Sequence, residues 1–251
     1  MSYRTFSKTE IIKLLIRYGH LNVPVNFDAN IYSLETPIVQ DAIFSFKQFM
    51  GVTTSDLNKV FSVPRCGQPD FGIAASKTSW KKGCNSKFPN NHTTIYRVNK
   101  SRMPAFLKDA FEPAWELMRQ AYAEIGLLVL RDDQTAKYNS LVTFEKGRGW
   151  IGLAIVGNNH TCSTRIWAKF DTVYKPSDLV NQWARLIAHE LGHNCGLSHS
   201  RGGIMNPSIL PGAFTKDEWK KDPSFNQLKK WFGGTSAQQT PIWQIPGTEN
   251  E

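Results

Sequence analysis

Residues 189–199 read H-E-L-G-H-N-C-G-L-S-H, and this stretch decides the fold of the region around it. His189 and His193 are four positions apart, so on a helix both side chains project from the same face. Gly196 can adopt the left-handed conformation that ends a helix, and the turn would bring His199 back towards the other two histidines. Three imidazoles arranged in this way predict a zinc site that keeps one open coordination position, as catalytic sites do.

A second motif follows the third histidine. Residues 201–207 read R-G-G-I-M-N-P, a turn-prone glycine pair followed by a methionine. A long zinc motif followed by a methionine turn is the signature of the metzincin clan of zinc endopeptidases, which this sequence resembles. The resemblance implies that Met205 lies beneath the metal as an apolar floor, whereas a methionine outside such a motif is more often ordinary core packing.

A third motif narrows the resemblance. Residues 64–70 read P-R-C-G-Q-P-D and closely resemble the cysteine switch in the propeptides of matrixins, the matrix metalloproteinase family. A thiolate is a strong zinc ligand, so Cys66 in the fourth position would displace the attacking water. The resemblance implies that Arg65 and Asp70 form an ion pair that shapes the loop. The motif indicates a zymogen in which Cys66 is an inhibitory ligand; the alternative is an exposed loop with one free cysteine.

The resemblance implies metal-assisted hydrolysis of peptide bonds. A zinc ion on the three histidines would activate a water molecule, and Glu190 would act as the general base that later passes the proton to the leaving nitrogen. We expect an extended substrate to pair with an edge strand formed by Gly152, Leu153 and Ala154. By resemblance, the outer wall of the pocket beside the zinc is formed by Pro207, Ser208 and Ile209.

The order of predicted elements indicates an α+β fold in two parts. Residues 1–79 form a small domain of three short helices that carries the switch, and they resemble both the matrixin propeptide and a peptidoglycan-binding fold. Residues 80–232 form a metzincin-like domain with a twisted mixed sheet and the zinc helix. Residues 233–251 are expected to be a tail or linker.

Local signals predict how several helices begin, bend and end. Thr54 is expected to cap the third short helix, and Pro113 to kink or divide the long helix over residues 104–124. Asp178, together with Ser177, is expected to cap the zinc helix. A capping pattern from Thr215 predicts one final helix that ends near residue 232.

Composition and charge exclude several classes. Hydrophobic residues make up 41% of the 251 positions, enough for a globular core, and no run approaches the roughly 20 apolar residues of a membrane span. The net charge of +9 is spread over the sequence with no nucleic-acid motif, so we expect no nucleic-acid partner. The expected partners are a protein or peptide substrate and an activating protease, with the chain itself a monomer.

The compartment is implied only by the resemblance. Matrixins are secreted and act in the extracellular matrix, but residues 1–8 lack the apolar segment of a signal peptide. The resemblance is strong only over residues 60–70 and 177–207, which suggests a divergent, microbial or viral relative. Cys195 is expected to be a buried thiol, and Cys84 and Cys162 remain an open disulfide candidate.

The segment after the switch suggests a route to activation. Residues 71–91 are polar and turn-rich, and the Lys81–Lys82 pair within them is a plausible cleavage site. Because this pair lies between the switch and the first predicted strand, a cut there would release Cys66.

The sequence also departs from the matrixin pattern. Matrixins usually carry a second, structural zinc bound by an H-x-D segment, but residues 169–171 read K-F-D and only His160 precedes the zinc helix after residue 93. We therefore predict a single zinc, and calcium sites stay open, with Asp171 as one candidate ligand.

Two other functions remain open at this point. One is a hydrolase of the peptide bonds of bacterial cell walls, in which residues 7–60 hold peptidoglycan. The other is a non-catalytic structural component whose zinc site is permanently plugged by Cys66. The switch motif argues against the first, since a propeptide explains the N-terminal helices without any ligand.

Overall fold

The structure is a computed structural model. It describes residues 4–23, 28–63, 65–70, 93–136, 138–145, 151–154, 162–167, 178–208 and 216–232. Several predictions fall outside these residues: the cleavage segment at Lys81–Lys82, the Cys84–Cys162 disulfide, the calcium candidate Asp171, the wall residue Ile209 and the C-terminal tail.

The N-terminal part contains three helices: α1 (Lys8–Arg17), α2 (Pro37–Met50) and α3 (Leu57–Phe61). A capping box between Ser7 and Glu10 begins α1, because each side chain accepts a hydrogen bond from the other residue's backbone. The prediction that Thr54 caps α3 is wrong. Asp56, which immediately precedes the helix, accepts hydrogen bonds from the backbone amides of its first turn.

The second part is built on a five-stranded mixed sheet, which confirms the α+β class. Its strands are β1 (Thr93–Asn99), β2 (Leu128–Arg131), β3 (Ser140–Glu145), β4 (Gly152–Ala154) and β5 (Cys162–Trp167). Their order is β2-β1-β3-β5-β4, and all neighbours are parallel except β4 and β5. The short strand β4 therefore lies at one edge, where it can pair with another extended segment.

Two long helices, α4 (Lys108–Ala123) and α5 (Leu179–Cys195), pack against each other and against the sheet. Pro113 lies inside α4 without dividing it. Its position near the start of the helix removes a single backbone hydrogen bond, to Asp109, so the helix continues. Asp178 precedes α5, but its side chain makes no capping hydrogen bond, contrary to the prediction.

Two helices, α6 (Lys216–Lys221) and α7 (Pro223–Phe232), replace the single final helix that the sequence predicted. The break falls at Asp222 and Pro223, because proline has no amide hydrogen and disfavours a helical residue before it. The Asp222 carboxylate accepts hydrogen bonds from the amides of Ile204 and Ser224 and so connects this break to the methionine turn.

The buried apolar residues form two separate clusters, one for each part of the chain. The N-terminal cluster surrounds Leu15, Phe46 and Val60. The larger cluster joins the sheet to α4 and α5 and includes Trp183 and Met205. Among the residues described, no helix is long and apolar enough to cross a membrane.

Candidate metal centre

Three histidine side chains converge at the C-terminal end of α5 and the turn that follows it. His189 and His193 project from the last turns of α5, and their Nε2 atoms lie 3.1 Å apart. The backbone then turns at Gly196, whose φ of 104° is in the left-handed region that glycine tolerates. This turn returns His199 to the cluster, with its Nε2 atom 3.2 Å from that of His193. All three side chains are buried.

The opposite ring nitrogen of each histidine has a hydrogen-bond acceptor. His189 Nδ1 lies 2.7 Å from the carbonyl of Ile204, and His193 Nδ1 lies 2.7 Å from that of Leu197. His199 Nδ1 lies 2.7 Å from Oδ1 of Asp70. Because Nδ1 donates in each case, the neutral rings carry their lone pairs on the converging Nε2 atoms. In this tautomer, each ring can bind a metal through its Nε2 atom.

The surroundings favour the uncharged form of the α5 histidines. Burial lowers the pKa of His189 well below its usual value, and the neighbouring histidines lower it further. Burial also lowers the pKa of His193 to about 3. Neutral imidazole is the state in which histidine binds zinc.

Cys66 completes the group. Its Sγ atom lies 3.5 Å from His193 Nε2, and one potential ligand atom from each of Cys66, His189, His193 and His199 lies within 4.8 Å of the others. Burial and the Glu190 carboxylate raise the pKa of this thiol well above its usual value. One sulfur and three imidazole nitrogens are a donor set that suits tetrahedral zinc, and a bound cation would favour the thiolate. The residues present therefore fit a zinc ion.

Glu190 lies beside these ligand atoms without belonging to the group. Its Oε2 atom is 3.8 Å from the Cys66 sulfur, and Oε1 makes no hydrogen bond of good geometry among the described residues. Burial raises the pKa of Glu190 to about 8, against smaller lowering effects of Cys66 and the Ala154 amide. A buried carboxyl group with a raised pKa beside a group of potential metal ligands is typical of a functional residue.

The segment 65–70, which we call the switch segment, lies between two walls. On one side, the amide of Cys66 donates to the carbonyl of Pro207 at 2.8 Å. On the other side, the amide of Gly67 donates to the carbonyl of Gly152 at 2.8 Å, and the amide of Ile151 donates to the carbonyl of Arg65 at 2.9 Å. The switch segment therefore occupies an extended position in a cleft.

The residues predicted to contact substrate form those walls. Gly152 belongs to the edge strand β4 and forms a parallel bridge with Cys66, and Ser208 forms an antiparallel bridge with Arg65. The Gln68 side chain donates to the carbonyl of Ala154. The side chain of Leu153 lies outside the described part of the chain, as does Ile209.

Two glycines have steric roles that the sequence analysis missed. A Cβ atom at Gly152 would overlap the Glu190 carboxylate and Leu186. A Cβ atom at Gly192, between the two α5 histidines, would lie 2.5 Å from the sulfur of Met205. Met205 is fully buried against α5, so the glycine in the zinc motif makes room for the methionine. The position of Gly192 between the two histidines of the H-E-L-G-H stretch could have indicated its steric role from the sequence.

The predicted pair of Arg65 and Asp70 is present, with 2.6 Å between Nη2 and Oδ1. The Arg65 guanidinium also lies 3.6 Å from the ring centroid of Tyr18, and Asp70 Oδ2 lies 2.8 Å from Nε2 of His20. Although burial opposes it, hydrogen bonds with His199 and His20 and the charge of Arg65 hold the pKa of Asp70 well below its usual value. The sequence analysis did not predict Tyr18 or His20 as partners.

Curated proteins similar to this chain are matrix metalloproteinases. Macrophage metalloelastase of Oryctolagus cuniculus is 28% identical over 199 residues, which cover 68% of this chain and 39% of that protein. Interstitial collagenase of Sus scrofa is 24% identical over 265 residues, 91% of this chain and 51% of that protein. Interstitial collagenase of Aquarana catesbeiana is 28% identical over 179 residues, 66% of this chain and 41% of that protein.

No family model matches the chain. The chain spans about half or less of the length of these curated relatives. The similarity extends over much of this chain, well beyond the zinc motif and the switch segment. On these similarities, the chain is a matrixin-like protein.

Proposed function

We propose that this chain is a latent zinc endopeptidase, held inactive by its own N-terminal part. One observation carries the proposal: the Cys66 sulfur meets the Nε2 atoms of three histidines in one buried group, with Glu190 beside it. The names of the relatives, a metalloelastase and two collagenases, support the reaction class. They do not favour a cell-wall hydrolase or a structural component.

His189, His193 and His199 would hold one zinc ion, with Cys66 as the fourth ligand of the latent form. A bound zinc ion supplies Lewis-acid chemistry, since it polarises a carbonyl group and increases the acidity of water. Hydrogen bonds from the Nδ1 atoms to Ile204, Leu197 and Asp70 fix the orientation of the three rings. We propose a single zinc ion because residues 169–171 read K-F-D and lack the histidine of the matrixin H-x-D segment.

Glu190 would be the general base. When the switch segment leaves, water reaches the carboxyl group, the burial that raises its pKa is reduced, and the group ionises at neutral pH. The carboxylate can then take a proton from the attacking water and deliver it to the leaving nitrogen. Gly152 is needed beside it because any side chain there would occupy the space of the Glu190 carboxylate.

The same cleft would bind an extended peptide substrate. Removal of the switch segment frees the amide of Ile151 and the carbonyls of Gly152 and Pro207. Backbone groups exposed at a sheet edge bind extended peptides by adding a strand, with little dependence on side chains. The positions Gly152, Leu153 and Ala154 on one side and Pro207, Ser208 and Ile209 on the other are the proposed substrate contacts.

Activation would need a second protease. We propose that it cuts between Asp70 and Thr93, for instance at Lys81–Lys82, so that the N-terminal domain, residues 1–79, dissociates as part of the released propeptide. Residues 80–232 would then act as a monomeric peptidase with one zinc, outside the cell, as the resemblance implies.

The test is peptidase activity against a quenched peptide library before and after limited cleavage within residues 71–92. We expect activity only after the cut, and its loss by roughly 10²- to 10⁴-fold in Glu190→Gln, the range that general-base catalysis contributes. The variant should still bind one zinc per chain. If the cut chain with bound zinc has no activity against any peptide, the proposal is wrong.

A further inference from the structure

A histidine of the N-terminal part lies directly behind the switch segment. Helix α1 ends at Arg17, and Gly19, with a φ of 79°, turns the backbone so that His20 points into the interior. The amide of His20 donates to the carbonyl of Leu15 at 2.9 Å. The His20 side chain is 0% exposed, so its ring nitrogens need partners within the protein.

Both ring nitrogens have such partners. Nδ1 lies 2.9 Å from the hydroxyl of Ser45 on α2, and Nε2 lies 2.8 Å from Oδ2 of Asp70. The ring is held edge-on against Phe46, with 5.2 Å between centroids, and against Phe49, with 5.8 Å. These contacts leave the imidazole little freedom, so it presents one nitrogen to Asp70.

The two carboxylate oxygens of Asp70 together bind partners from both parts of the molecule. Oδ1 accepts from His199 and from Arg65, and Oδ2 is paired with His20. The amide of Asp70 also donates to the carbonyl of Tyr18 at 3.0 Å. The turn after α1 therefore holds Asp70 by its backbone and by its side chain at once.

We propose that His20 is a positioning residue for latency. By fixing the Asp70 carboxylate, it joins Ser45, His20, Asp70 and His199 into one buried hydrogen-bonded series that runs from α2 to the metal centre. Because Cys66 lies four residues before Asp70 in the same segment, a fixed Asp70 keeps the thiol at the three histidines. This inference rests on the proposed function, since it explains how the proposed inhibitory ligand is held.

The competing explanation is that His20 only fills space between two phenylalanines. The two explanations differ in what loss of the imidazole does. If His20 positions Asp70, its removal leaves Oδ2 buried without a donor, which weakens the closed state by roughly 10- to 100-fold, the usual effect of losing a buried hydrogen bond to a charged group. If His20 only packs, an apolar ring of similar size replaces it without any such effect.

The test uses the full, uncut chain loaded with cobalt(II) in place of zinc. Two readouts report on Cys66: the thiolate-to-cobalt absorption band, and the rate at which iodoacetamide alkylates Cys66, located by mass spectrometry of the digested protein. Neither readout depends on peptidase activity. The variants are His20→Phe, which cannot bind Asp70, His20→Gln, which retains a donor, and Ser45→Ala, which removes the support behind the ring.

We expect His20→Phe to raise the alkylation rate by roughly 10- to 100-fold and to weaken the absorption band. His20→Gln should remain within a few-fold of the wild type, and Ser45→Ala should show an increase of a few-fold. Phe61→Leu is the matched control, because Phe61 packs against Phe46 in the same core and has no polar group for Asp70. It should leave both readouts near the wild-type values, and circular dichroism should show that every variant keeps its helices.

Three results would overturn the inference. His20→Phe could be alkylated as slowly as the wild type, His20→Gln could be as fast as His20→Phe, or Phe61→Leu could match His20→Phe, which would indicate general loosening of the core. The failure of the proposed function looks different. In that case the wild-type chain itself would lack the thiolate-to-cobalt band, because Cys66 would not be a ligand.

Discussion

The zinc motif, residues 189–199, and the switch segment, residues 65–70, meet at one candidate metal centre, but they are held in opposite ways. The zinc motif is fixed largely by nearby residues: His193 donates to Leu197, and the amide of Gly196 donates to His193. The switch segment is fixed by residues far away in the sequence, from Tyr18 to Pro207. The motif can therefore persist when the N-terminal part leaves, whereas the switch segment then loses its contacts with Gly152, Pro207 and His199.

The zinc motif and the switch segment also differ in the charges that they bury. The zinc motif buries neutral imidazoles, whereas the switch segment buries the charged pair of Arg65 and Asp70, whose side chains are 3% and 0% exposed. A buried ion pair contributes little net stability but fixes geometry, because any displacement leaves an uncompensated charge. In the proposed zymogen, the buried pair would give the switch one closed position with little excess stability, which would suit an element that has to be removed.

The largest expected difference between the two regions comes from removing one ligand from each. In His193→Ala, zinc affinity should fall by more than the roughly 100-fold that loss of a supporting contact causes, and the cut chain should be inactive. In Cys66→Ala, three histidines remain, so we expect zinc to stay bound and the uncut chain to hydrolyse peptides. Zinc content after dialysis and peptidase activity measure both effects. Loss of zinc from Cys66→Ala would contradict the prediction that the three histidines alone hold the ion.

A second prediction concerns Asp70, where the two regions touch. Asp70→Asn removes the charge that pairs with buried Arg65, and breaking such a pair on one side costs about 3–5 kcal/mol. Because this cost falls on the closed state, we expect the uncut chain to gain peptidase activity by a factor of roughly 10² or more.

The matched control is Asp56→Asn, at the exposed cap of α3, because asparagine is an equally good cap. This variant should remain latent. Equal activity of the two uncut variants would show that the N-terminal part had loosened as a whole, and the role assigned to the buried pair would be wrong.

The features of the site that could be predicted from the sequence are those that depend on residues close together in the chain. The convergence of His189, His193 and His199 was predictable from their spacing in the sequence. The pairing of Arg65 with Asp70 was implied by the resemblance of residues 64–70 to the matrixin switch motif. His20 and Tyr18 were not predictable as partners of the switch, since only the packing of α1 against α2 brings them to it. No local pattern encodes such a contact.

The sequence predictions of helix ends were also wrong where two local signals favoured different residues. The predicted cap at Thr54 gave way to Asp56, because the residue immediately before the helix has the better position for binding its amides. The single predicted C-terminal helix is interrupted at Pro223, although the pattern of apolar residues continues beyond it. The steric role of Gly152 depends on Glu190 from another element, so it required the structure.

A third prediction tests that glycine. In Gly152→Ala, the new methyl group would overlap the Glu190 carboxylate and Leu186, so we expect a loss of about 1–3 kcal/mol in unfolding free energy, the usual cost of overpacking. Peptidase activity of the cut chain should fall as well, because the carboxylate must move. Gly202→Ala is the matched control, since its Cβ would meet nothing within 4 Å. Unchanged stability and activity in Gly152→Ala would show that the Glu190 position is not fixed by this glycine.

The smallest effect is expected from an ion pair that belongs to neither region. Glu112 lies 2.7 Å from Arg131, with 56% of its side chain exposed. Burial raises the pKa of Glu112, but hydrogen bonds from Arg131 and Lys100 outweigh it, so the pKa in the folded state lies below the usual value of 4.5. The ionised form therefore stabilises the fold above about pH 4.5, and this contribution is lost as the pH falls further.

Because solvent screens this exposed pair, we expect Glu112→Gln to lower the unfolding free energy by only about 0.5 kcal/mol at pH 7. The difference from the wild type should shrink as the pH falls below 4.5, and denaturant titrations at several pH values would measure it. Alkylation of Cys66 should not change. A faster reaction at Cys66 would show that the switch responds to distant losses of stability, and the closed state would then depend on the whole fold more than on the buried contacts of Asp70.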